Sequence, residues 1–241
     1  YSQLSNNVYY SDRFTLQKGN PTLRPTIIHD LTLSGSWRFL QMSLSYSQTK
    51  DLILFWGELV NDDASLTMLS NRNWDKSIPM FTAFLSATPK IGCWSPMLSV
   101  GVQKQWLTVD YFNEKKTLDN PFFTASFNNT WDLPLGFMIG LDSYIQSAGA
   151  TQNIFNDKAY GYVNLSVRKS FLNDALSVEL RGNDIFNTNK ISYSMYSGDY
   201  YLYQKSAWDR QEFVITVRYK FNTAKSKYKG TGAGDSQKSR M

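Results

Sequence analysis

The sequence predicts an all-β fold, an antiparallel transmembrane β-barrel to which this chain contributes about nine strands. Three observations lead to this prediction. Segments of alternating apolar and polar residues recur along the chain, whereas sustained helical periodicity is hard to find. The connections between these segments fall into a short class and a long class. Fifteen Tyr, fifteen Phe and seven Trp residues are enough to form the aromatic girdles that membrane barrels carry at both interfaces.

The predicted strands share a period of two, which places apolar side chains on one face and polar side chains on the other. In chain order the apolar positions are Leu31, Leu33, Trp37 and Phe39; Met42, Leu44 and Tyr46, in a strand that continues to about Trp56; Phe81, Ala83, Leu85 and Ala87; Leu98, Val100, Val102 and Trp106; Phe123, Ala125, Phe127 and Trp131; Phe137, Ile139 and Leu141; Val163, Leu165 and Val167; and Leu176, Val178 and Leu180. In the fourth strand we expect Gln103 and Gln105 to point to the barrel interior.

The last predicted strand, residues 213–221, has the clearest alternation. One face carries Phe213, Ile215, Val217, Tyr219 and Phe221. The other face carries Val214, Thr216, Arg218 and Lys220. An aromatic-rich apolar row opposite a charged row is typical of a strand that has lipid on one side and water on the other.

The connections sort by length. The short ones are 39–41, 132–135 and 171–174, with 90–96 nearly as short, and the long polar ones are 57–73, 112–120, 146–158 and 182–205. In bacterial outer-membrane barrels, short turns face the periplasm and long loops face the outside. A soluble β-sandwich has no reason to sort its loops in this way. The pattern therefore favours a membrane barrel in which the odd-numbered strands run towards the periplasm.

The predicted organisation is an extracellular loop region over 1–26, barrel strands over 27–221 and a basic flexible tail over 222–241. The first clear strand begins outside and the last ends in the periplasm, so the strand count is odd, whereas a closed bacterial barrel needs an even count. Either residues 4–10 are the remnant of a preceding strand or the barrel is incomplete. Neither an initiator Met nor a signal peptide opens the chain, so we expect a fragment or an excised domain.

The net charge of +5 is concentrated in the tail, where five basic residues and one acidic residue supply four of the five charges. Nucleic-acid binding thereby loses its main support, because such proteins spread Lys and Arg over a folded face. The single cysteine, Cys93, excludes an internal disulfide and a multi-cysteine zinc site. We expect it to be a small apolar filler.

Residues that could carry catalysis are scarce. His29, next to Asp30, is the single histidine, and no acidic pair or nucleophile stands out around it. The segment Gly230-Thr231-Gly232-Ala233-Gly234 lacks the Lys and Ser/Thr of a phosphate-binding loop. We therefore expect no enzyme, no cofactor and no resident metal ion.

Two motifs resemble elements of the TonB-dependent outer-membrane receptors. Gly19-Asn20-Pro21-Thr22-Leu23-Arg24-Pro25 is similar to their Gly-Asn-Pro-x-Leu-basic-Pro signature, and Asp184-Ile185-Phe186-Asn187 is similar to their Asp-Ile-Phe-Asn element. The C-terminal residues 221–241 resemble the tail of the outer-membrane β-barrel family of Bacteroidetes-type receptors. Both motifs also have plain structural interpretations, since the two prolines hold an extended loop and the second motif mixes turn residues with an apolar anchor.

This resemblance implies a barrel of about 22 strands with a plugged lumen, of which the chain is roughly the C-terminal two-fifths. It implies uptake of a scarce solute across the outer membrane of a Gram-negative bacterium, energised by a TonB-type coupling protein through an N-terminal region outside this sequence. Outer-membrane lipid and the barrel-assembly machinery are further implied partners. Phe221, at the end of the row that begins with Phe213, resembles the terminal aromatic residue of an assembly signal; an ordinary interfacial residue is the alternative.

External aromatic residues, in or next to the long connections, are candidate ligand contacts, because aromatic platforms bind sugars and large amphipathic solutes. The candidates are Trp74, Tyr111, Phe112, Tyr193, Tyr196, Tyr200, Tyr201 and Tyr203. The alternative is that they pack within the loops or belong to a girdle. The runner-up function is that of a soluble, surface-exposed β-sandwich, either an adhesin or a carbohydrate-binding module.

Overall fold

The computed structural model describes residues 2–60, 63–198, 200–206 and 209–221, so the predicted tail over 222–241 lies outside the described residues. No helix in these ranges is long and apolar enough to cross a membrane. The described residues form β-strands and two short 3₁₀ helices, Ser2–Leu4 and Pro134–Gly136. The strands are β1 (Val8–Asp12), β2 (Thr15–Lys18), β3 (Ile27–Trp37), β4 (Leu40–Lys50), β5 (Leu52–Val60), β6 (Asp63–Trp74), β7 (Ile78–Ala87), β8 (Trp94–Gln105), β9 (Leu107–Tyr111), β10 (Glu114–Leu118), β11 (Phe122–Leu133), β12 (Phe137–Gln146), β13 (Gly149–Thr151), β14 (Ile154–Asn156), β15 (Tyr160–Phe171), β16 (Leu176–Asn183), β17 (Ser192–Ser197), β18 (Tyr200–Lys205) and β19 (Glu212–Tyr219).

All nine predicted strands are present in one antiparallel sheet, the nine-stranded sheet. Its order is β19-β16-β15-β12-β11-β8-β7-β4-β3, so each strand pairs with its neighbours in the order of the chain. The two edges, β3 and β19, are not paired with each other, and no sheet closes on itself in the described part of the chain. The prediction of a single antiparallel sheet is therefore confirmed, and these strands alone do not form a closed barrel.

The register places the apolar positions that the alternation predicted on one side of the nine strands, which we call the apolar face. Residues directly opposite each other on neighbouring strands share a face. One row of such partners is Leu33, Leu44, Ala83, Val102 and Phe123, and another is Trp131, Ile139, Val167, Leu180 and Ile215. The opposite side, the polar face, carries Asp30, Thr82, Gln103, Asp142, Arg168, Glu179 and Arg218.

The apolar face is exposed across its width. Leu31 on the first strand and Phe213 on the last are each 77% exposed. Among the buried hydrophobic residues of the described chain, only Ile78 belongs to the nine-stranded sheet. Soluble proteins rarely expose apolar patches beyond a few hundred Å², so the face requires an apolar surrounding such as lipid.

Aromatic side chains on the apolar face are concentrated near its two ends. One band contains Trp37, Trp94, Trp131, Phe137, Phe171 and Tyr219, and the other contains Tyr46, Phe81, Phe123 and Phe213. Within β11, Phe123 and Trp131 are separated by about 27 Å along the strand, or about 21 Å along the membrane normal at a tilt of about 40°. This spacing is close to the apolar band of roughly 25 Å in outer-membrane barrels.

Lysines on the apolar face lie close to strand ends. Lys50 is the last residue of β4 and Lys104 the penultimate residue of β8. The Lys169 amino group lies 4.2 Å from the Phe137 ring centre and donates a hydrogen bond to the Leu135 carbonyl in the adjacent turn. Long basic side chains that extend out of the apolar layer to its boundary are a feature of membrane proteins.

Short turns join the strands at one end of the nine-stranded sheet, the turn edge. They comprise residues 38–39, 88–93, 134–136 and 172–175. Cys93 ends the second of these turns and is exposed, so its expected role as an apolar filler is wrong. The predicted sorting of short connections to one end is confirmed.

Four β-hairpins project from the opposite end, the hairpin edge, where long polar loops were expected. They are β5–β6, β9–β10, β13–β14 and β17–β18. The expected continuation of the second strand to Trp56 is also wrong, because β4 ends at Lys50 and Asp51, with a φ of 54°, turns the chain before β5 begins. Residues 4–10, considered as a strand remnant, contribute to β1, which pairs with β2 beside β6 and not with the nine-stranded sheet.

Candidate ligand-binding site

The hairpins pack together around a small hydrophobic core. Its buried members are Leu54, Trp56, Trp74, Ile78, Leu107, Val109, Leu118 and Ala150. Trp56 and Trp74 stack with ring centres 5.9 Å apart, and the Arg72 guanidinium lies 4.2 Å from the Trp56 ring centre. Trp74 is only 7% exposed. This predicted ligand contact is therefore a core residue that holds hairpin β5–β6 in place.

Gln105 shows on which side of the nine-stranded sheet the hairpins lie. It occupies a polar-face position at the end of β8 and is buried. Its Nε2 donates to the Leu118 carbonyl at 3.1 Å and to the Gln152 carbonyl at 2.7 Å, and its Oε1 accepts from the Gln152 amide at 2.7 Å. Hairpins β9–β10 and β13–β14 are thus held over the polar face, the side for which the sequence predicted Gln105.

Buried polar groups join neighbouring hairpins. Ser197 Oγ accepts from the Gly57 amide and donates to the Gly57 carbonyl, both at 3.1 Å, although the two residues are far apart in the sequence. Asn153 Nδ2 donates to the Phe55 carbonyl at 2.8 Å and to the Tyr196 carbonyl at 3.2 Å. These side chains satisfy backbone groups that no strand partner reaches, which stabilises the hairpins as one layer.

Four of the predicted ligand contacts form one group, the aromatic cluster of Tyr111, Phe112, Tyr196 and Tyr201. The ring centre of Tyr111 lies 4.7 Å from that of Phe112, 5.1 Å from that of Tyr196 and 6.4 Å from that of Tyr201. Phe112 is 51% exposed and Tyr201 is 44% exposed. The cluster therefore presents aromatic surface to solvent while its inner rings support that surface.

Polar groups complete the aromatic cluster. The Lys116 amino group lies 5.1 Å from the Tyr196 ring centre. Ser194 Oγ donates to Asp157 Oδ1 at 2.9 Å, so the Tyr201 hydroxyl, also 2.9 Å away, must be the donor in its bond with Ser194. Burial raises the pKa of the Tyr196 phenol, and nearby Tyr201 and Asp157 add to this effect. The cluster thus combines neutral phenols with a cation, groups that suit hydroxyl-rich or amphipathic ligands.

The remaining predicted contacts lie elsewhere. Tyr193 is hydrogen-bonded through its hydroxyl to Gln204 on the next strand. Tyr200 packs against Gly57 on another hairpin. Tyr203 is half exposed and faces a cavity beside the nine-stranded sheet. The sequence therefore grouped these residues as external aromatics, and the fold separates them.

A second aromatic group, which the sequence analysis missed, lies on the polar face. Tyr144 stacks on Tyr162 with ring centres 5.8 Å apart and lies 6.4 Å from Tyr160. Gln146 Oε1 accepts from the hydroxyls of Tyr144 at 2.8 Å and Tyr160 at 3.1 Å. The spacing of two between Tyr160 and Tyr162 was a signal for a shared face, and only the register with β12 adds Tyr144 to it.

The first sequence motif ties the chain before β3 to the base of hairpin β5–β6. Arg24 Nη2 lies 2.6 Å from Asp51 Oδ1 and 2.8 Å from Asp75 Oδ1. Hydrogen bonds to Asp75, which has the larger effect, and to Asp51 raise the pKa of the Arg24 guanidinium. Asn73 accepts from the Arg24 amide at 2.8 Å and donates to its carbonyl at 2.9 Å. The motif thus has a structural role in this fold, where its basic residue clamps two bends of the chain.

The second motif forms a capped turn at the hairpin edge. Asp184 is buried, and its carboxylate accepts from the Thr188 amide at 2.9 Å and from the Asn189 amide at 3.1 Å. Its own amide donates to Asn164 Oδ1 at 2.9 Å. Ile185 donates through its amide to the Val163 carbonyl, and Phe186 is exposed. The turn residues and the apolar anchor expected from the sequence occupy these positions.

The sequence of this chain matches one known protein family. Residues 1–219 match the model of the outer membrane protein beta-barrel family. A search of curated proteins and a search of solved structures each returned no match. Among the described residues, no group of three or more His, Cys, Asp or Glu side chains is placed to hold a metal ion. The family match includes the whole nine-stranded sheet and both motifs.

Proposed function

Because this chain belongs to the outer membrane protein beta-barrel family, we propose that it is part of the barrel wall of a TonB-dependent receptor that takes up a scarce solute. In this proposal the apolar face contacts outer-membrane lipid and the polar face lines the lumen. The turn edge faces the periplasm and the hairpins lie outside the cell, as in other bacterial outer-membrane barrels. Energy for uptake comes from a TonB-type partner that contacts a plug outside this sequence.

The observation that carries the proposal is an exposed apolar face that runs across all nine strands, opposite a mainly polar face. In a soluble β-sandwich, a second sheet covers the apolar face of the first. Here the smaller sheets lie at the hairpin edge, and Gln105 holds hairpins β9–β10 and β13–β14 over the polar face. The runner-up, a soluble sandwich adhesin or binding module, lacks this support.

A large receptor barrel is favoured over a small barrel by the edges of the nine-stranded sheet. β3 and β19 each leave one row of backbone groups without a partner within the described residues. In lipid each unsatisfied backbone group costs several kcal/mol, so both edges need further strands. The two motifs at 19–25 and 184–187 support the same choice, since they resemble receptor elements.

The two aromatic groups suggest a substrate class. The aromatic cluster lies on the hairpins, and Tyr144, Tyr160 and Tyr162 lie on the polar face below them. A solute that enters from outside would meet these two surfaces in succession. Tyrosine side chains, which combine an apolar ring with a polar hydroxyl, recognise carbohydrates and large amphipathic solutes, which we propose as the substrate class.

Uptake by cells tests the proposal. Three strains are compared: the parent, a strain lacking the full-length protein, and the same deletion strain with the gene restored. Each is given a panel of radiolabelled oligosaccharides and iron chelates, with and without a protonophore. We expect the deletion to abolish uptake of at least one solute and the protonophore to abolish the same uptake in the parent. Uptake that is insensitive to the protonophore would identify a passive pore and contradict the proposal.

Substitution in the aromatic cluster then tests its role. Tyr201→Ala removes an exposed ring and should weaken binding of the transported solute by about 1–2 kcal/mol, a factor of roughly 5–30. Tyr193→Ala is the matched control, because Tyr193 lies on the same hairpin but outside the cluster. Equal losses in the two variants would assign both residues to packing and not to ligand binding.

A further inference from the structure

The apolar face contains a cavity of about 790 Å³ next to the hairpin edge. Leu98, Phe127 and Val163 line it from a row of partners that crosses β8, β11, β12 and β15. Ile145 lines it one row nearer to the hairpin edge. Leu98, Phe127 and Ile145 are exposed hydrophobic residues. The sheet side of the cavity is therefore a continuation of the surface that faces lipid, and its volume is in the range of small-molecule sites.

Lysines line the opposite side of this cavity. Lys158, Lys190 and Lys205 are exposed lining residues, and no Asp or Glu is among the lining residues of the described chain. Within the described ranges, none of the three forms a salt bridge. Thr188 and Tyr203 add hydroxyl groups to the same side. The cavity thus has an apolar floor and a cationic rim.

The second motif holds part of this rim against the apolar face. Asp184 accepts the amides of Thr188 and Asn189, which fixes the segment that leads to Lys190. Thr188 Oγ1 donates to the Gly161 carbonyl at 2.9 Å, on the strand that lines the floor. Ile185 packs on the apolar face at Gly182, where an added Cβ would lie 2.9 Å from Ile185 Cγ2. The rim is therefore built by the fold and not by a free loop.

We propose that this cavity binds a phospholipid of net negative charge from the membrane leaflet at the hairpin edge. The acyl chain lies along Leu98, Phe127 and Ile145, and the phosphate lies between Lys158, Lys190 and Lys205. A neutral lipid would leave the lysines without a counter-charge, and a soluble anion would leave the apolar floor uncovered. The proposal rests on the proposed function only in requiring that the nine-stranded sheet lies in a membrane.

Lipid retention by the full-length protein tests this site. The protein is reconstituted with equal amounts of phosphatidylglycerol and phosphatidylcholine that carry the same acyl chains, and lipids retained after delipidation are measured by native mass spectrometry. We expect selective retention of phosphatidylglycerol. Since each Lys near an anionic surface contributes appreciably to attraction, the combined substitution Lys158→Gln, Lys190→Gln and Lys205→Gln should reduce this selectivity at least about fivefold.

A matched triple variant controls for net charge. Lys18→Gln, Lys76→Gln and Lys115→Gln remove the same number of charges from exposed positions at the hairpin edge that do not line the cavity. We expect this variant to keep the selectivity of the parent. Phe127→Ala should reduce retention of phosphatidylglycerol through the loss of acyl-chain contact. Equal selectivity in the two triple variants would overturn the proposal.

Two further readouts separate the possible failures. Displacement of phosphatidylglycerol by excess inorganic phosphate would show an anion site in place of a lipid site and overturn the proposal. Heat-modifiable gel mobility reports whether the barrel is folded in the membrane. Normal mobility with equal retention of both lipids contradicts only the lipid site, whereas a parent protein without heat-modifiable mobility contradicts the proposed function itself.

Discussion

The ring of Tyr200 lies directly against the backbone of Gly57. A Cβ atom at position 57 would come within 2.2 Å of Tyr200 Cδ1. Gly57 belongs to β5 and Tyr200 to β18, so the contact joins hairpins from distant parts of the chain. Ser197, on the same hairpin as Tyr200, hydrogen-bonds both backbone groups of Gly57. The close approach of these hairpins therefore depends on the absence of a side chain at position 57.

We predict that Gly57→Ala destabilises the hairpin layer by about 1–3 kcal/mol, because the added methyl group forces the Tyr200 ring or the strand to move. Limited proteolysis of the folded protein in detergent should show earlier cleavage in the hairpins. Gly35→Ala is the matched control, since a Cβ there meets no atom within 4 Å. Equal protease resistance of the two variants would contradict the packing at Gly57.

Two adjacent residues of β19 should differ in how much stability an introduced charge costs. Ile215→Arg places a cation on the apolar face and should cost roughly 2–4 kcal/mol near the middle of the membrane. Thr216→Arg should cost much less, because Thr216 lies on the polar face opposite Glu179. Heat-modifiable mobility and surface abundance of the full-length variants measure both effects. Equal losses would refute the assignment of the two faces.

The stability that the aromatic cluster gives to the hairpins should fall at high pH. A raised pKa means that Tyr196 holds its proton more tightly in the folded chain than in the unfolded chain, whose phenol has a pKa of about 10. Above that pH the folded state binds more protons, so the contribution of Tyr196 is complete below about pH 10 and is lost as pH rises through the folded pKa.

This pH dependence can be measured as protease resistance of the hairpins between about pH 8 and about pH 12. Tyr196→Phe removes the titrating group and should flatten the alkaline decline. Tyr10→Phe, at an exposed position in β1, removes a phenol outside the cluster and should leave the decline as in the parent. An unchanged decline in Tyr196→Phe would show that another group controls it.

The chain on its own should not be a stable soluble monomer. Its sheet has two edges, β3 and β19, which present backbone groups for pairing with other chains. The exposed apolar face adds a second route to association. We expect refolding in plain buffer to give aggregates, and detergent to be required for a dispersed protein, as measured by sedimentation. A cooperative monomer in plain buffer would contradict this reading.

The nine strands of the sheet were predictable because their signal is local and long. In β11, apolar and polar residues alternate from Phe123 to Asn128 and again from Thr130 to Leu133, and the period of two fixes the face of every side chain. The same rule predicted that Gln105 lies on the polar face. The membrane setting strengthens the signal, because lipid favours apolar side chains at outward positions.

The hairpins were not predictable in this way. β13 and β14 have three residues each, too few for a periodic pattern. β17 is rich in serine, and Ser192, Ser194 and Ser197 are buried by contacts with distant segments. Trp74 looked like an exposed loop residue because its stacking partner, Trp56, lies on the other strand of the hairpin and is distant in the sequence. Such contacts are invisible to a local pattern.

The sequence by itself determined that the chain forms long antiparallel strands with one apolar and one polar face, because side-chain direction in a strand depends only on residue parity. It also determined the end of the sheet at which the short turns lie. Only the tertiary structure decided which aromatic side chains meet. Tyr111, Tyr196 and Tyr201 come from two hairpins, and their approach depends on packing at Gly57, Asn153 and Ser197 that brings distant segments together. Contacts of this kind follow from the sum of many weak long-range interactions, which a periodic pattern does not encode.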